Sequence, residues 1–495
     1  MAGRVIVSEN SRTALTLTPN NVQAKKFPQY LAAILATLAA MVGGSFMSWT
    51  SSALPLLQEP CSVPHITDEE GSWIGSLLNL GAFVGALPAG LVADRIGRRT
   101  TLCVLALPLV TSWLLIAFSG SVAQLFVGRF LGGFAVGAVS VAAPTYIAEL
   151  AESSIRGALG TLFQLQITIG VLFGYLAGMV GDPRALSLTC CALPVLFLVT
   201  FFCMPESPVF LLSKNRKDDA KKALQWFRGK DYDVEDELTK MLDTIQEAER
   251  NKASLGDLLS SRGTVRALIV SLGLMTFQQM SGVNAVIFYS GKIFEASGSS
   301  MSPTTASIVI GIVQVLATYV SSLLIDRAGR RILLLISSSV MGLCLSILAL
   351  YFYLQVQEYD VRSISWLPLG SVSIFIIVFS VGFGPIPWIM FGELFPNNVK
   401  GVASAITASF NWILAFTVTK VFQNMLDLLG SPVTFCIFSA MCVTGTIFTA
   451  ILVPETKGKD LKEIQLELSG EKSTRELESV VSDSRKITLS YTKPV

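Results

Sequence analysis

Titratable chemistry is scarce in this sequence. Its single histidine is His65, and the eight cysteines fall mostly within apolar runs, as Cys190 and Cys191 do, with none at a metal-ligand spacing. Histidine-based acid–base or metal catalysis is therefore not expected, and the isolated Cys61 offers no disulfide framework. No Asn-x-Ser/Thr sequon occurs anywhere. Charge is scarce as well: Asp, Glu, Lys and Arg make up 15% of the residues, against about 25% in soluble domains. The net charge of +2 is spread over short clusters rather than one basic face, which gives no footprint for nucleic acid. The reading is of a protein that is not an enzyme, with no cofactor and no metal.

What the chain has instead is apolar length. Of 495 residues, 52% are hydrophobic, and the mean hydropathy is +0.59. A membrane-crossing helix needs about 20 apolar residues. Twelve segments qualify: 27–54, 71–93, 101–119, 121–149, 158–181, 184–204, 265–294, 304–325, 331–355, 366–395, 400–424 and 431–453. Residues 1–26 are polar, and the run after them is too long for the core of a cleavable leader. The predicted organisation is an all-α polytopic membrane protein: an N-terminal tail (1–26), a six-helix bundle (27–204), a charged linker (205–264), a second six-helix bundle (265–453) and a polar tail (454–495). In the linker, Leu238, Met241, Leu242 and Ile245 recur at helical spacing among acids and bases, which predicts two to four short amphipathic helices.

Lys and Arg set the orientation. They gather in the N-terminal tail (Arg4, Arg12, Lys25, Lys26), the linker and the even loops, and are nearly absent from the odd ones; EPCSVPHITDEE, the first, has none. Both termini are therefore expected on the cytoplasmic side.

The charged motifs occur twice. DRIGRR at 94–99 returns as DRAGRR at 326–331 (326 − 94 = 232). Glu149 precedes Arg156-Gly157 as Glu393 precedes Lys400-Gly401 (393 − 149 = 244), and PES at 205–207 returns as PET at 454–456 (454 − 205 = 249). Three pairs in one order imply two six-helix halves in parallel repeat, a transporter architecture. The thirteen charges involved, Asp94, Arg95, Arg98, Arg99, Glu149, Arg156 and Glu206 in one half and Asp326, Arg330, Arg331, Glu393, Lys400 and Glu455 in the other, predict an ion-pair gate. Such a network can hold the cytoplasmic ends of the halves together in one state and release them in another. Arg129 stands apart, within the apolar run GRFLGGFAVG. A charge there is costly unless partnered, and it is expected on the extracellular-side half of its helix, packed on a neighbour.

One apolar segment is polar at its centre. In FQQMSGVNAVIFY (277–289), Gln278, Ser281 and Asn284 fall near one helical face with Gln279 at its edge. Amides both donate and accept, which suits a ligand made of hydroxyls, and Ser281-Gly282 loosens the helix there. Two readings stand: glue between helices, or a binding site at a broken helix.

Taken together, DRIGRR/DRAGRR, GRF at 128–130, PESPVFLL, QQMSGVNAVIFYS, GFGPIPW and PETKG resemble the sugar porter family of the major facilitator superfamily over residues 27–465. The chain looks like the animal facilitative glucose-transporter group and, through GFGPIPWIMFGELFP and its short first loop, most like the branch with the insect trehalose transporters. The resemblance implies that Gln278, Gln279 and Asn284 hold the sugar, that Phe288 and Tyr289 gate it, and that Trp388, Asn411 and Trp412 line the same side, with Gln164 contributed by the first half. Gln314 replaces an asparagine of the family, Ser380 an acid that some members carry, and QMS at 279–281 the glucose-type QLS; all three weaken glucose specificity. Proton-coupled relatives carry an acid midway along the first helix, whereas here Thr50 or Ser51 takes that place. The implied function is facilitated diffusion of a neutral sugar, a hexose or trehalose, across the plasma membrane by a monomer. The alternatives are a proton symporter of the same fold and a non-transporting sugar sensor. The Gln164 and QQ…N set lean toward a monosaccharide, and the branch leans toward trehalose.

Overall fold

The computed structural model describes residues 24–152, 154–250, 259, 261–297, 301–459 and 461–469. The calls on the two tails therefore lie largely outside the described residues. Among those described, the secondary structure is helical, and ten helices are long and apolar enough to cross a membrane. The chain is a multi-pass membrane protein.

Six of these helices come first: α1 (Phe27–Leu57), α2 (Asp68–Ile96), α3 (Arg98–Ala117), α4 (Val122–Leu150), α5 (Arg156–Ala177) and α6 (Pro183–Phe201). Polar residues start several of them. Thr67 and Glu70 cap α2 reciprocally, Ser121 caps α4, and Asp182 caps α6 ahead of Pro183. The α2–α3 turn is made in place by Gly97, at φ 105°, a conformation closed to residues with a Cβ.

Glycines also set how closely these helices approach. A Cβ on Gly81 or Gly85 of α2 would lie 2.2 or 1.9 Å from a carbonyl oxygen of α4, and one on Gly133 or Gly137 of α4 would lie 2.0 Å from a carbonyl oxygen of α2. Gly44 of α1 and Gly170 of α5 meet in the same way. Such small-residue seams let membrane helices pack by backbone contact, where lipid gives no hydrophobic drive to associate. The bulky side chains point outward: Leu87, Leu91, Leu107 and Val199 are exposed, as a lipid-facing surface requires.

Three short helices fill the linker, α7 (Pro208–Ser213), α8 (Lys217–Arg228) and α9 (Glu235–Arg250). They share a small apolar core of Phe210, Leu211, Leu224, Val234 and Leu238, with Met241 and Ile245 packed on it. The fully buried Arg228 ties them down, pairing with Glu237 at 2.6 Å and donating to the α4 carbonyl of Leu150 at 2.9 Å.

The remaining helices are α10 (Arg262–Met280), α11 (Val283–Ala296), α12 (Pro303–Ala328), α13 (Arg330–Val356), α14 (Leu367–Val381), α15 (Ile386–Leu394), α16 (Asn397–Leu452) and α17 (Leu461–Ser469). The seventh segment is broken where the sequence loosens it: Gly282 takes φ 80° between α10 and α11. Two departures from the sequence reading follow. The tenth is broken at 382–385, between α14 and α15. In the loop expected between the eleventh and twelfth segments, residues 425–429 continue the helix, and the chain turns at Gly430 (φ 76°, ψ 163°), two residues before Pro432, so α16 is two helices joined there.

The α2–α3 turn, its counterpart at Gly329 between α12 and α13, and the linker helices mark one end of the molecule, here the basic end. The loop 58–67 marks the far end.

Candidate functional site

The break in the seventh segment organises the polar core. Asn284 Nδ2 donates to Gln279 Oε1 at 2.6 Å, and Gln279 Nε2 donates to Asn411 Oδ1 at 3.0 Å. Asn411 Nδ2 donates to Gln278 Oε1 at 2.8 Å. Gln278 Nε2 in turn donates to the carbonyls of Phe383 (2.6 Å) and Gly384 (3.0 Å). Those two acceptors lie in the gap between α14 and α15. Four buried amides thus form one chain joining α10, α11, α16 and the break of the tenth segment. Each donor or acceptor satisfied here by another amide is one that a hydroxyl could satisfy instead.

Ser281 does not join this chain, because its hydroxyl donates back to Gln278 O at 2.7 Å. Phe288 and Tyr289 are both buried one to two turns beyond the break. Tyr289 lies 5.3 Å from the Phe422 ring and donates to Thr419 O at 3.3 Å. Trp388 is half-buried, 5.7 Å from Phe391, and Trp412 is half-buried next to Asn411 in sequence. Gln314 is buried, and its Oε1 has no hydrogen-bond partner; the same holds for the Trp412 Nε1. Gln164 is half-buried on α5. Among the described residues, no hydrogen bond connects Gln164, Gln314, Trp388 or Trp412 to the amide chain.

The far end is closed between the first six helices and those after the linker. Ser51 of α1 sits 2.8 Å from Ser290 of α11 and accepts from Gly291 N at 2.9 Å. Tyr175 of α5 donates to Ile287 O at 2.8 Å, and Asn79 of α2 donates to Thr419 Oγ1 at 3.0 Å. The Tyr289 hydroxyl presses on Gly75, where a Cβ would stand 2.7 Å from it. Sequence reasoning named Ser51 only for the place of an absent acid, not for this seam, and missed Asn79, Tyr175 and Ser290. Single small polar residues in apolar helices carry no signal that separates them from ordinary packing.

At the basic end, this state pairs the charges of the expected gate within each helix set. Arg98 pairs with Asp94 (2.8 Å) and Glu149 (2.9 Å), and Ser207 donates to Glu149. Glu206 accepts the backbone N–H groups of Arg99 (2.8 Å) and Thr100 (3.2 Å), neutralising the start of α3. The later helices repeat the arrangement. Arg330 pairs with Glu393 at 2.9 Å, Thr456 donates to Glu393, and Glu455 accepts from the N–H groups of Arg330 (3.0 Å) and Arg331 (3.1 Å). Burial pushes the Glu455 carboxyl up, but the N–H groups of Lys457, Arg330, Arg331 and Thr456 outweigh it, and its pKa is lowered overall.

Every one of these pairs lies within one set of helices. Among the described residues none bridges the two sets, so the pairs clip helix ends inside each set. Arg156 and Lys400 donate only to nearby carbonyls of their own set, Ala151 O (3.3 Å) and Gly392 O (3.1 Å). Arg95 is exposed, and the Asp326 side chain lies outside the described residues.

Arg129 is fully buried. Its guanidinium donates to Ile74 O (2.9 Å), Phe46 O (2.8 Å) and Thr50 Oγ1 (2.9 Å) and lies 5.3 Å from the Trp49 ring. Neutral acceptors and aromatic faces, rather than a carboxylate, stabilise this charge.

Helices broken at membrane depth around uncharged amides, between two helix sets hydrogen-bonded to each other at the far end, define a membrane transporter for a polar, uncharged solute. The family described as "Sugar (and other) transporter" matches residues 30–468, and the chain belongs to it. It is 40% identical over 471 residues to a facilitated trehalose transporter Tret1 of Culex quinquefasciatus, covering 94% of this chain and 91% of that one. It is equally identical to a Tret1 of Anopheles gambiae over 444 residues, 89% of this chain but only 56% of the relative. Two solved structures share the fold at 24% identity and a TM-score of 0.73. One is the xylose transporter XylE from E. coli in a partially occluded inward open conformation, covering 88% of this chain and 99% of XylE. The other is the proton:xylose symporter XylE bound to 6-bromo-6-deoxy-D-glucose, covering 89% and 99%. The chain is a sugar transporter, not an enzyme.

Proposed function

We propose that this protein is a uniporter for a neutral sugar, with trehalose the first candidate, and that the sugar binds at the amide chain of Gln278, Gln279, Asn284 and Asn411. The observation that carries this reading is that these amides bond one another across two helix breaks. A hydroxylated ligand exchanges amide–amide for amide–sugar bonds, so binding is close to neutral in free energy and reversible. Trp388 and Trp412 supply flat apolar faces, Gln314 and Gln164 further polar atoms, and Phe288 and Tyr289 the cover on the far side. Relatives at 40% identity bear the name of trehalose transporters, which favours the disaccharide over the monosaccharide.

The architecture we infer has twelve crossings in two six-helix repeats, with the broken seventh and tenth helices each one crossing and α16 two. The mirrored clips Arg98–Glu149–Ser207 and Arg330–Glu393–Thr456 support the repeat. The basic end is assigned to the cytoplasm and the far end to the outside, with both termini cytoplasmic in a plasma-membrane monomer, by the distribution of Lys and Arg. The described state then faces inward. For the outward state, we infer that Glu149 and Glu393 exchange partners, taking Lys400 and Arg156 across the closing basic end.

Uniport is supported by Arg129, whose partners on α1 are the Thr50 hydroxyl and the Phe46 carbonyl rather than a carboxylate; neutral partners have no proton to release on sugar binding. In proteoliposomes, counterflow of labelled trehalose is expected to exceed that of glucose and fructose. An inward proton gradient is expected to leave the final trehalose level at equilibrium with the medium. Accumulation above that level, driven by the gradient, would establish symport instead.

A further inference from the structure

We propose that two lysines of the later helices, Lys292 and Lys420, form a charge latch on the first two turns of α2 that holds the far end shut. Lys292 Nζ of α11 lies 3.0 Å from Asp68 Oδ1, which also accepts from Gln58 Nε2 at 2.8 Å. Lys420 Nζ of α16 donates to Ser72 Oγ at 2.6 Å and stands 4.6 Å from the centre of the Trp73 ring. Both cations belong to one helix set and both acceptor groups to the other. The ion pairs described at the basic end each lie within a set in this state, so none of them spans the seam. The Asp68–Lys292 pair is different, because it crosses the seam and must break whenever the far end opens.

The chemistry of the two sides suits a contact that breaks and reforms. Asp68 is the first residue of α2, where the helix dipole stabilises a carboxylate without any partner. Its side chain is 66% exposed and that of Lys292 is 20% exposed, so water solvates both charges when they part. A buried pair would lock the gate, since separating it exposes an uncompensated charge. Lys420 adds a second arm, because a cation over an aromatic face is held without a carboxylate. The latch biases the population toward the far-end-closed state and leaves the sugar site itself untouched.

The inference rests on the alternating-access reading above, and one experiment separates the two. In a Cys61→Ser background, Ser290→Cys places a thiol in the far-end seam, where a membrane-impermeant thiosulfonate applied from that side reaches it only when the sets part. Adding Asp68→Asn is expected to raise the labelling rate about threefold, as the loss of an exposed ion pair allows. Asp68→Lys, which sets two cations face to face, is expected to raise it further. Combining Asp68→Lys with Lys292→Asp restores the pair in reverse and is expected to return the rate to that of the Ser290→Cys parent. Labelling of Asp68→Lys at the parent rate, or a reversed pair that labels like Asp68→Lys alone, would overturn the latch and leave alternating access standing. A parent thiol that never labels, with or without trehalose, would remove the alternating-access reading and the latch with it.

Discussion

Gln279→Ala is expected to abolish sugar transport while the protein still assembles in the membrane. Gln279 is the one amide that both accepts from Asn284 and donates to Asn411. Its truncation leaves Asn284 Nδ2 and Asn411 Oδ1 without their partners. An unpaired buried polar group costs about 1–3 kcal/mol, a loss that a protein packed over ten membrane-length helices tolerates. The sugar fares worse. A ring hydroxyl that relied on both atoms of the amide loses a donor and an acceptor together, and about 3 kcal/mol of lost binding is more than a hundredfold in occupancy. Counterflow of labelled trehalose in proteoliposomes is expected to fall to background. The purified variant is expected to elute from a sizing column as the parent does. Uptake within about twofold of the parent, a difference worth under 0.5 kcal/mol, would show that the amide chain is interhelical glue and nothing more.

Gly133→Val is expected to have the opposite profile, with loss of the fold itself. Its Cβ would lie 2.0 Å from Leu78 O and 2.8 Å from the carbon of the same carbonyl. The obstacle is backbone, so no rotamer change relieves it, and α2 must move away from α4 by more than an ångström. Gly81, Gly85 and Gly137 lose their contacts in the same displacement. Inserting bulk into a well-packed interface costs roughly 1–3 kcal/mol even where neighbours adjust, and here they cannot. The membrane yield of folded protein after solubilisation is expected to collapse. Gly90→Val is the matched control: on the facing helix α2, a Cβ there meets nothing within 4 Å, and near-parental yield is expected. Equal yields from the two variants would mean that the α2–α4 seam does not set the fold.

The two outcomes differ because different properties of the chain place the two residues. Apolar length located the spans, since a backbone in lipid must satisfy its own hydrogen bonds and only long helices do so. The count of 100° per residue put Gln278 and Asn284 near one face before any partner was known, and the structure keeps both in one amide chain. The same count placed Ser281 on that face, yet its hydroxyl turns to its own backbone, a choice open to any serine in a helix. Asn411 was named through its motif, but its central place between Gln278 and Gln279 was not visible, because those residues are more than 130 positions away along the chain. The breaks at 281–282 and 382–385 supply the free carbonyls and the change of direction that let these amides meet.

The basic end shows the limit most clearly. The paired motifs, their order and their charges were legible from repetition, and so was their role as ion pairs. Their direction was not. The sequence offers Arg98 and Arg330 acids in either half, and charge pattern does not choose between them. Helix packing inside each set does, bringing Glu149 to Arg98 and Glu393 to Arg330 at 2.9 Å. Span, face, family and duplicated charge follow from patterns local enough for hydropathy and periodicity to read. Which amide meets which, which carboxylate each arginine takes and which end of the molecule is shut depend on how two sets of helices sit against each other. Nearly every contact within a set is compatible with more than one such placement, so that arrangement leaves no periodic trace in the chain.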